Sequence, residues 1–427
     1  MNEPIFIARQ DTLEQEILPA HWLAQYKLFG EESYTFQDKG IWKKLCMSRA
    51  AANDRDIHAE ALEEMLTTFS AEHTGKWMLL VYGTNAAALE GLATMAAIAA
   101  NGTAMGAIAD NALLMHAIAN SETAMQRIAN SQTAMQRVAN NTTAMDAIGR
   151  SRIARDAVQA SPYYNSYIKE NDMAIAKLVV GFANLESAGY SGMAGVAADS
   201  TAMTAVAASS VARNAISASP YYDEKIKEND MAIAKLVVGF ANLASANYSS
   251  MAGVVADATA MTAVAASSTA MTAVAASSTA MTAVAASGVA LKAIAQAYKK
   301  TANMLQFLKA VNASDTLVKR IYSTLTGATG LFGATQLGSQ DGVESANSWA
   351  TTSAAPNAFL ACACGYYSSG GSSVNVTYNG TVIAQNKTGA KQPGSVTSTN
   401  VNAITMAPST FTENGDGWLA VQKFTVK

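Results

Sequence analysis

Cysteine and proline are scarce in this chain: 3 Cys and 7 Pro in 427 residues. Cys46, Cys362 and Cys364 cannot build a disulfide framework. Charge is also sparse, at 14% of residues, with 29 basic against 32 acidic side chains and a net charge of −3. A chain so poor in charge is not one held open by self-repulsion. Nor does it concentrate the Lys and Arg that nucleic acid or an anionic membrane needs, so neither is expected as a partner. Long apolar runs are missing too. Met173–Leu185 is among the longest, and it is too short to cross a bilayer and carries Lys177. The opening Met-Asn-Glu-Pro-Ile-Phe has neither a basic nor an apolar leader, so no export signal is expected.

Signatures of catalysis are absent as well. There is no Gly-Lys-Ser/Thr phosphate loop, no Gly-x-Ser-x-Gly elbow and no His-Glu-x-x-His. The sequence therefore predicts no enzyme and no cofactor. Asp54, Asp56, His58 and Glu60 alternate as metal ligands sometimes do, but residues two apart on a helix point apart, and a solvated helix start is the expectation. Cys362-x-Cys364 lacks the further ligands of a tetrahedral zinc site, and Glu413-Asn-Gly-Asp416-Gly lacks those of a calcium loop. No metal site is predicted.

Alanine and methionine fill the space left by these absences, and they do so periodically. Residues 259–288 read Thr-Ala-Met-Thr-Ala-Val-Ala-Ala-Ser-Ser three times, with Gly288 the one change. Met261, Met271 and Met281 share one slot, and Val264, Val274 and Val284 another. The same phase runs earlier through Met95, Met105, Met115, Met125, Met135 and Met145, each followed by Ile or Val three residues on. A second period of 58 residues overlies this one. Ser161-Pro162-Tyr163-Tyr164 returns as Ser219-Pro220-Tyr221-Tyr222, and Ile168–Leu185 recurs unchanged as Ile226–Leu243. Ser161 and Pro162 suit a helix start, and Asp172 suits the cap of a second helix. Each insert thus reads as a hairpin of two amphipathic helices, around 162–186 and 220–244.

Ala and Met favour helix over strand. On one unbroken helix, however, ten residues advance about 1000°, so the Met slot drifts about 80° per repeat. Breaking the helix at each boundary removes that conflict: Asn130 takes a left-handed position after one helix, and Ser131 or Thr133 caps the next. Stacked short helices are the favoured solution, and an overwound coiled coil is the alternative. A column of Ala, Met and Val looks too slender to close a core alone, which predicts a homotrimer.

The ends differ in style. Residues 1–84 have ordinary globular composition and are expected to form a small α or α+β head. Within it a helix is predicted over Ala50–Phe69, and a short strand or buried extension over Lys76–Tyr82. Residues 85–160 are decads, 161–267 the duplicated hairpin-plus-decad modules, and 268–326 further decads and a helical neck. A Gly-rich linker is expected at 327–342 and an antiparallel β-sandwich at 343–427. The strongest local signal there is Asn379-Gly380 between alternating segments, a type I′ hairpin. Phe359–Tyr367, Val401–Met406 and Trp418–Val426 read as further strands. The fold class is thus multidomain and fibrous: head, helical shaft with two inserts, β-rich tip.

The Thr-Ala-Met-Thr-Ala-Val-Ala-Ala-Ser decads resemble those of tail-fibre and related fibrous proteins of tailed bacteriophages. That resemblance covers much of residues 93–290. It implies a virion protein made in the host cytoplasm, attached through residues 1–84 to other tail or baseplate proteins, trimeric, and meeting a host receptor with its C-terminal domain. A neck whisker or connector without receptor function is the alternative. Within the tip, Tyr366, Tyr367, Tyr378, Asn379, Asp416 and Trp418 are the candidate receptor contacts. Aromatic faces beside neutral hydrogen-bonding side chains are how proteins hold sugars, and the tip has little charge.

Overall fold

The computed structural model describes residues 55–68, 74–75, 78, 87–341, 347–350, 356–366, 372–388, 390–391, 395–414 and 417–427. It is helix-rich, with a C-terminal, mainly antiparallel β region in two sheets. Two compact units divide it, one of residues 1–196 with 214–220 and one of 197–213 with 221–427. Most of the expected head lies outside the described residues.

In the first unit each decad is one short helix: Gly102–Asp110, Ala112–Ala119, Glu122–Ala129, Gln132–Ala139, Thr142–Arg150 and Arg152–Ala160. Side-chain caps break the chain between them. Asn111, Ser121, Ser131, Asn141 and Ser151 each accept a hydrogen bond from the backbone N–H three residues on. Each helix packs against the helix three decads later: 102–110 on 132–139, 112–119 on 142–150, and 122–129 on 152–160. The decads are therefore the walls of a coil with three helices to the turn. The second unit repeats the scheme, with Ala258–Ala266 packed on Gly288–Gln296, Ser268–Ala276 on Thr301–Asn312, and Ser278–Ala285 on Asp315–Gly327. Corners of 100° and 95° separate consecutive helices there.

The coil has its own interior. Met105, Met115, Met125, Met135 and Met145 are fully buried, as are the Ile or Val three residues on. The Ala before each of Met105, Met125, Met135 and Met145 is buried too, and so is the Ala after each of Ile108, Ile118, Ile128 and Val138. Four slots of the ten thus face inward, and Ala in two of them lets neighbouring walls approach closely. One chain supplies all three walls. The premise behind the trimer, that a column of decads cannot close a core alone, does not hold.

The cap residues also stitch one turn to the next. Ser131 Oγ donates to the Ala99 carbonyl at 2.7 Å, Ser151 Oγ to Ala119 at 2.5 Å, and Ser161 Oγ to Ala129 at 2.5 Å. Ser287 does the same to Val255 at 2.7 Å in the second unit. The accepting carbonyls lie at helix C-termini, where no intrahelical partner exists. Asn130 differs from expectation. Its φ is −91°, and its amide returns to the Gln126 carbonyl at 2.9 Å, so that bond, not a left-handed turn, ends the helix. The helix expected over 50–69 is observed at Arg55–Thr68 and packs on the helices 112–119 and 122–129. It covers the first turns of the coil. Met78, the only described residue of the strand or buried extension expected over 76–82, is buried, but helical.

The inserts are not pairs of amphipathic helices. The first arm is a single wide turn, Tyr164–Lys169 in one copy and Tyr222–Ile226 in the other. The second arm, Asp172–Phe182 and its twin Asp230–Phe240, is buried on nearly every side. Asn171 caps it, while Asp172 instead accepts the Met193 N–H at 2.8 Å. The left-handed residues are Asn184 and Asn242, with φ 57° and 58°, just after these helices.

In the C-terminal region most of the expected linker is a strand, β1 (Phe332–Asp341), which pairs antiparallel with the last strand, interrupted by a bulge at Leu337. It is followed by β2 (Asn347–Ala350), β3 (Ala358–Tyr366), β4 (Ser373–Tyr378), β5 (Thr381–Thr388), β6 (Ala390–Lys391), β7 (Ala403–Met406), β8 (Ser409–Asn414) and β9 (Gly417–Val426). One sheet runs β1-β9-β3-β6, with β7 also on β3; the other runs β2-β8-β4-β5. Asn379 and Gly380 form the hairpin turn with φ 45° and 77°, as a type I′ turn requires. Buried residues of both sheets and of the last decads form one continuous core.

Candidate functional site

Burial redistributes the six candidate contacts. Tyr378 and Trp418 are each 1% exposed. The Trp418 indole lies so close against Gly365 that a Cβ there would sit 2.4 Å from Nε1. Both rings are core, and neither can stack on a ligand from that position. Asn379 is exposed at the hairpin turn. Tyr366 ends β3 opposite Gly417 and Lys391, and Tyr367 and Asp416 lie outside the described residues. Among the described side chains, therefore, no candidate aromatic presents an exposed face beside the hairpin amide. Cys362 and Cys364 are buried in β3, and burial pushes the Cys362 thiol well up, as suits packing rather than reactivity. Among the described residues no three His, Cys, Asp or Glu cluster as a metal site would need. The His58 ring is buried, so the start of its helix is not wholly solvated.

Polar groups converge elsewhere in the second unit. A cavity of about 250 Å³ opens between the first turn of the helix 315–327, the end of β5 and the loop before β7. Asp315 and Lys319 come from the helix, Asn386, Lys387 and Thr388 from β5, and Thr399, Asn400 and Asn402 from the loop. Each element is placed by a local device. Ser314 caps the helix by accepting the Leu317 N–H. The β4–β5 register shifts between Val374 and Val376, so β5 bulges there, and Asn386 sits in the bulge with φ 48°. Its backbone N–H is fixed by Asn375 Oδ1 at 2.7 Å. Asn400 ties the loop to itself, accepting from Thr397 N at 2.6 Å and donating to the Ser395 carbonyl at 2.8 Å. Asn402 joins it to both sheets, accepting from Cys364 N and donating to the Thr388 carbonyl at 2.8 Å.

One ion pair sets the electrostatics of the cleft. Lys387 Nζ donates to Asp315 Oδ1 at 2.8 Å, and this bond, with the nearby charges of Lys387 and Lys319, holds the Asp315 carboxyl below the usual range. The cleft's one carboxylate is therefore ionised and paired, poorly suited to give or take a proton near neutrality. Amide, hydroxyl and ammonium groups at its walls offer donors and acceptors to a hydroxyl-rich ligand. No sequence motif marked these residues. They come from three segments joined only by folding, and the bulge at Asn386 follows from strand register, which the alternation of residues 374–384 did not specify.

No family model matches this chain, and no curated protein matches it in sequence.

Proposed function

We propose that this chain is a structural tail-fibre protein of a tailed bacteriophage, joined to the particle through residues 1–84 and meeting the host cell through its C-terminal β region, an antiparallel β-sandwich. The observation that carries this reading is the decad coil. Its slots are taken up by stacking, capping, stitching and solvation, which describes a scaffold extended in whole decads. In this reading the polar cleft by Asp315 takes a saccharide of the host surface. The chain is no enzyme, works on the virion as a homotrimer among other tail or baseplate proteins, and needs no cofactor.

A second reading has a specific observation in its favour. Tyr378 and Trp418, two of the aromatics expected to hold a sugar, are core residues, which suits a whisker or connector fibre without receptor function. One pair of measurements tests both. Mass spectrometry and antibody labelling of purified particles should find the chain on an external appendage, and its absence from particles overturns the proposal. Full-length protein should then bind host cells, with Lys319→Ala weakening that binding. A chain present on virions that never binds cells selects the second reading.

A further inference from the structure

The polar cleft of the second unit is not neutral. The segments 315–327 and 386–402, which form it, carry Lys319, Arg320, Lys387 and Lys391 against the single carboxylate of Asp315. This excess of positive charge stands in a chain whose net charge is −3. The Asp315 carboxylate is already matched by Lys387 at 2.8 Å. Lys319 lies one turn further along the same helix and is exposed, and among the described residues its ammonium has no hydrogen-bond or ion-pair partner. The helix contributes in the same sense, because its first turn lines the cleft and ends in N–H groups that carry partial positive charge.

Hydrogen-bonding capacity is as lopsided as charge. An ammonium carries three N–H groups and a side-chain amide two. Lys387 spends one of its three on Asp315. Asn400 and Asn402 each spend one on a backbone carbonyl, those of Ser395 and Thr388, while their amide oxygens already accept from Thr397 N and Cys364 N. What these side chains have left to offer is chiefly donors. A sugar hydroxyl gives one hydrogen bond for those it takes, so a neutral sugar leaves the surplus unmatched. Carboxylate and phosphate oxygens only accept, and charge-assisted bonds to them are the stronger kind.

We propose, on the reading that this cleft meets the host surface, that its ligand is an anionic saccharide whose acidic group is held by Lys319 and the remaining N–H groups of Lys387, Asn400 and Asn402. The charge comes from a carboxylate or a phosphate on the sugar, and Lys319 is the residue that selects for it.

Binding of the full-length chain to the surface polysaccharide of a host strain tests this, with the polysaccharide used native, carboxyl-reduced, and stripped of phosphate by cold hydrofluoric acid. Binding to the native form should weaken as salt rises, as screening requires. It should be lost from at least one treated form, and the form that loses it identifies the acidic group. Lys319→Gln should weaken binding at least about tenfold, and Lys319→Glu should weaken it further. Gln and Glu are both good helix formers and the position is exposed, so the variants keep their fold, which circular dichroism verifies. Undiminished binding to both treated forms overturns the inference and leaves the saccharide reading standing. A folded Lys319→Glu variant that binds as tightly as the wild type overturns it too. A chain that binds no form of the polysaccharide overturns the receptor reading itself, and this inference with it.

Discussion

A serine hydroxyl has one proton to donate and two lone pairs, and the decad uses both sides of it. Ser151 Oγ accepts the Ala154 N–H at 3.3 Å and donates to the Ala119 carbonyl three decads back. Alanine in its place leaves a buried carbonyl unpaired and a helix start uncapped, so Ser151→Ala should lower stability by about 1–3 kcal/mol in denaturant unfolding. The buried lysines make a second test. Lys177 Nζ meets Asp146 at 2.6 Å and the Ser187 carbonyl at 3.0 Å. Its twin Lys235 finds Thr204 Oγ1 at 2.8 Å in place of the carboxylate, with the Ser245 carbonyl at 3.2 Å. Burial lowers the Lys235 pKa. Between that lowered value and the ordinary one near 10.4 the unfolded chain binds more protons than the folded one, so stability should rise with pH across the window. Thr204→Asp restores the arrangement of the first copy. It should raise the melting temperature at neutral pH and flatten the rise; an unchanged slope would show that Lys235 is not its source.

At the scale of elements, the buried insert helices depend on close backbone approach. A Cβ on Gly181 would sit 2.3 Å from the Gly149 carbonyl oxygen, and one on Gly239 would sit 2.4 Å from that of Ala207. Helix propensity favours Ala over Gly by about 1 kcal/mol, but both obstructions are backbone and cannot rotate away. Gly181→Ala and Gly239→Ala should therefore destabilise, and a gain in thermal stability for either would mean the walls yield more easily than packed helices do. The same inserts show where sequence reasoning stopped. The decad helices, their Ser caps and the Asn379-Gly380 hairpin were legible because each is decided within ten residues. The inserts were not, because Tyr164–Lys169 and Asp172–Phe182 take their shape from walls they pack on. In these decads Met gives way to Arg155 and Arg213, whose guanidinium groups donate to the Gly149 and Ala207 carbonyls. Each also lies about 6 Å over the ring of Phe182 or Phe240. Nothing local announces that exchange. The polar cleft was hidden for the same reason, since Asp315, Asn386 and Asn400 meet only through tertiary structure.

At the scale of the whole molecule, three decads to the turn means that neighbouring walls are interchangeable wherever their sequences are alike. In the second unit 258–266, 268–276 and 278–285 are nearly the same peptide. Removing ten residues, 268–277, would bring each later helix against the neighbour of its present partner, with Met, Val and Ala still inward. Among the specific interactions that would break is that of the Glu228 carboxylate, which accepts from the backbone N–H and hydroxyl groups of Ser278 and Thr279. Burial raises its pKa, but those four bonds outweigh burial and hold it below the usual carboxylate value, so its contribution is present at neutral pH and lost in acid. Removing five residues, 268–272, is a different matter. It leaves half a helix and sets polar slots where Met and Val must face inward, in a core packed too tightly to absorb the change. The ten-residue deletion should keep its helical circular dichroism and unfold cooperatively with a modest loss of stability, larger above the carboxylate range than below it. The five-residue deletion should lose cooperative unfolding. If both behave alike, the coil is held by its end contacts and not by the ten-residue period of its walls.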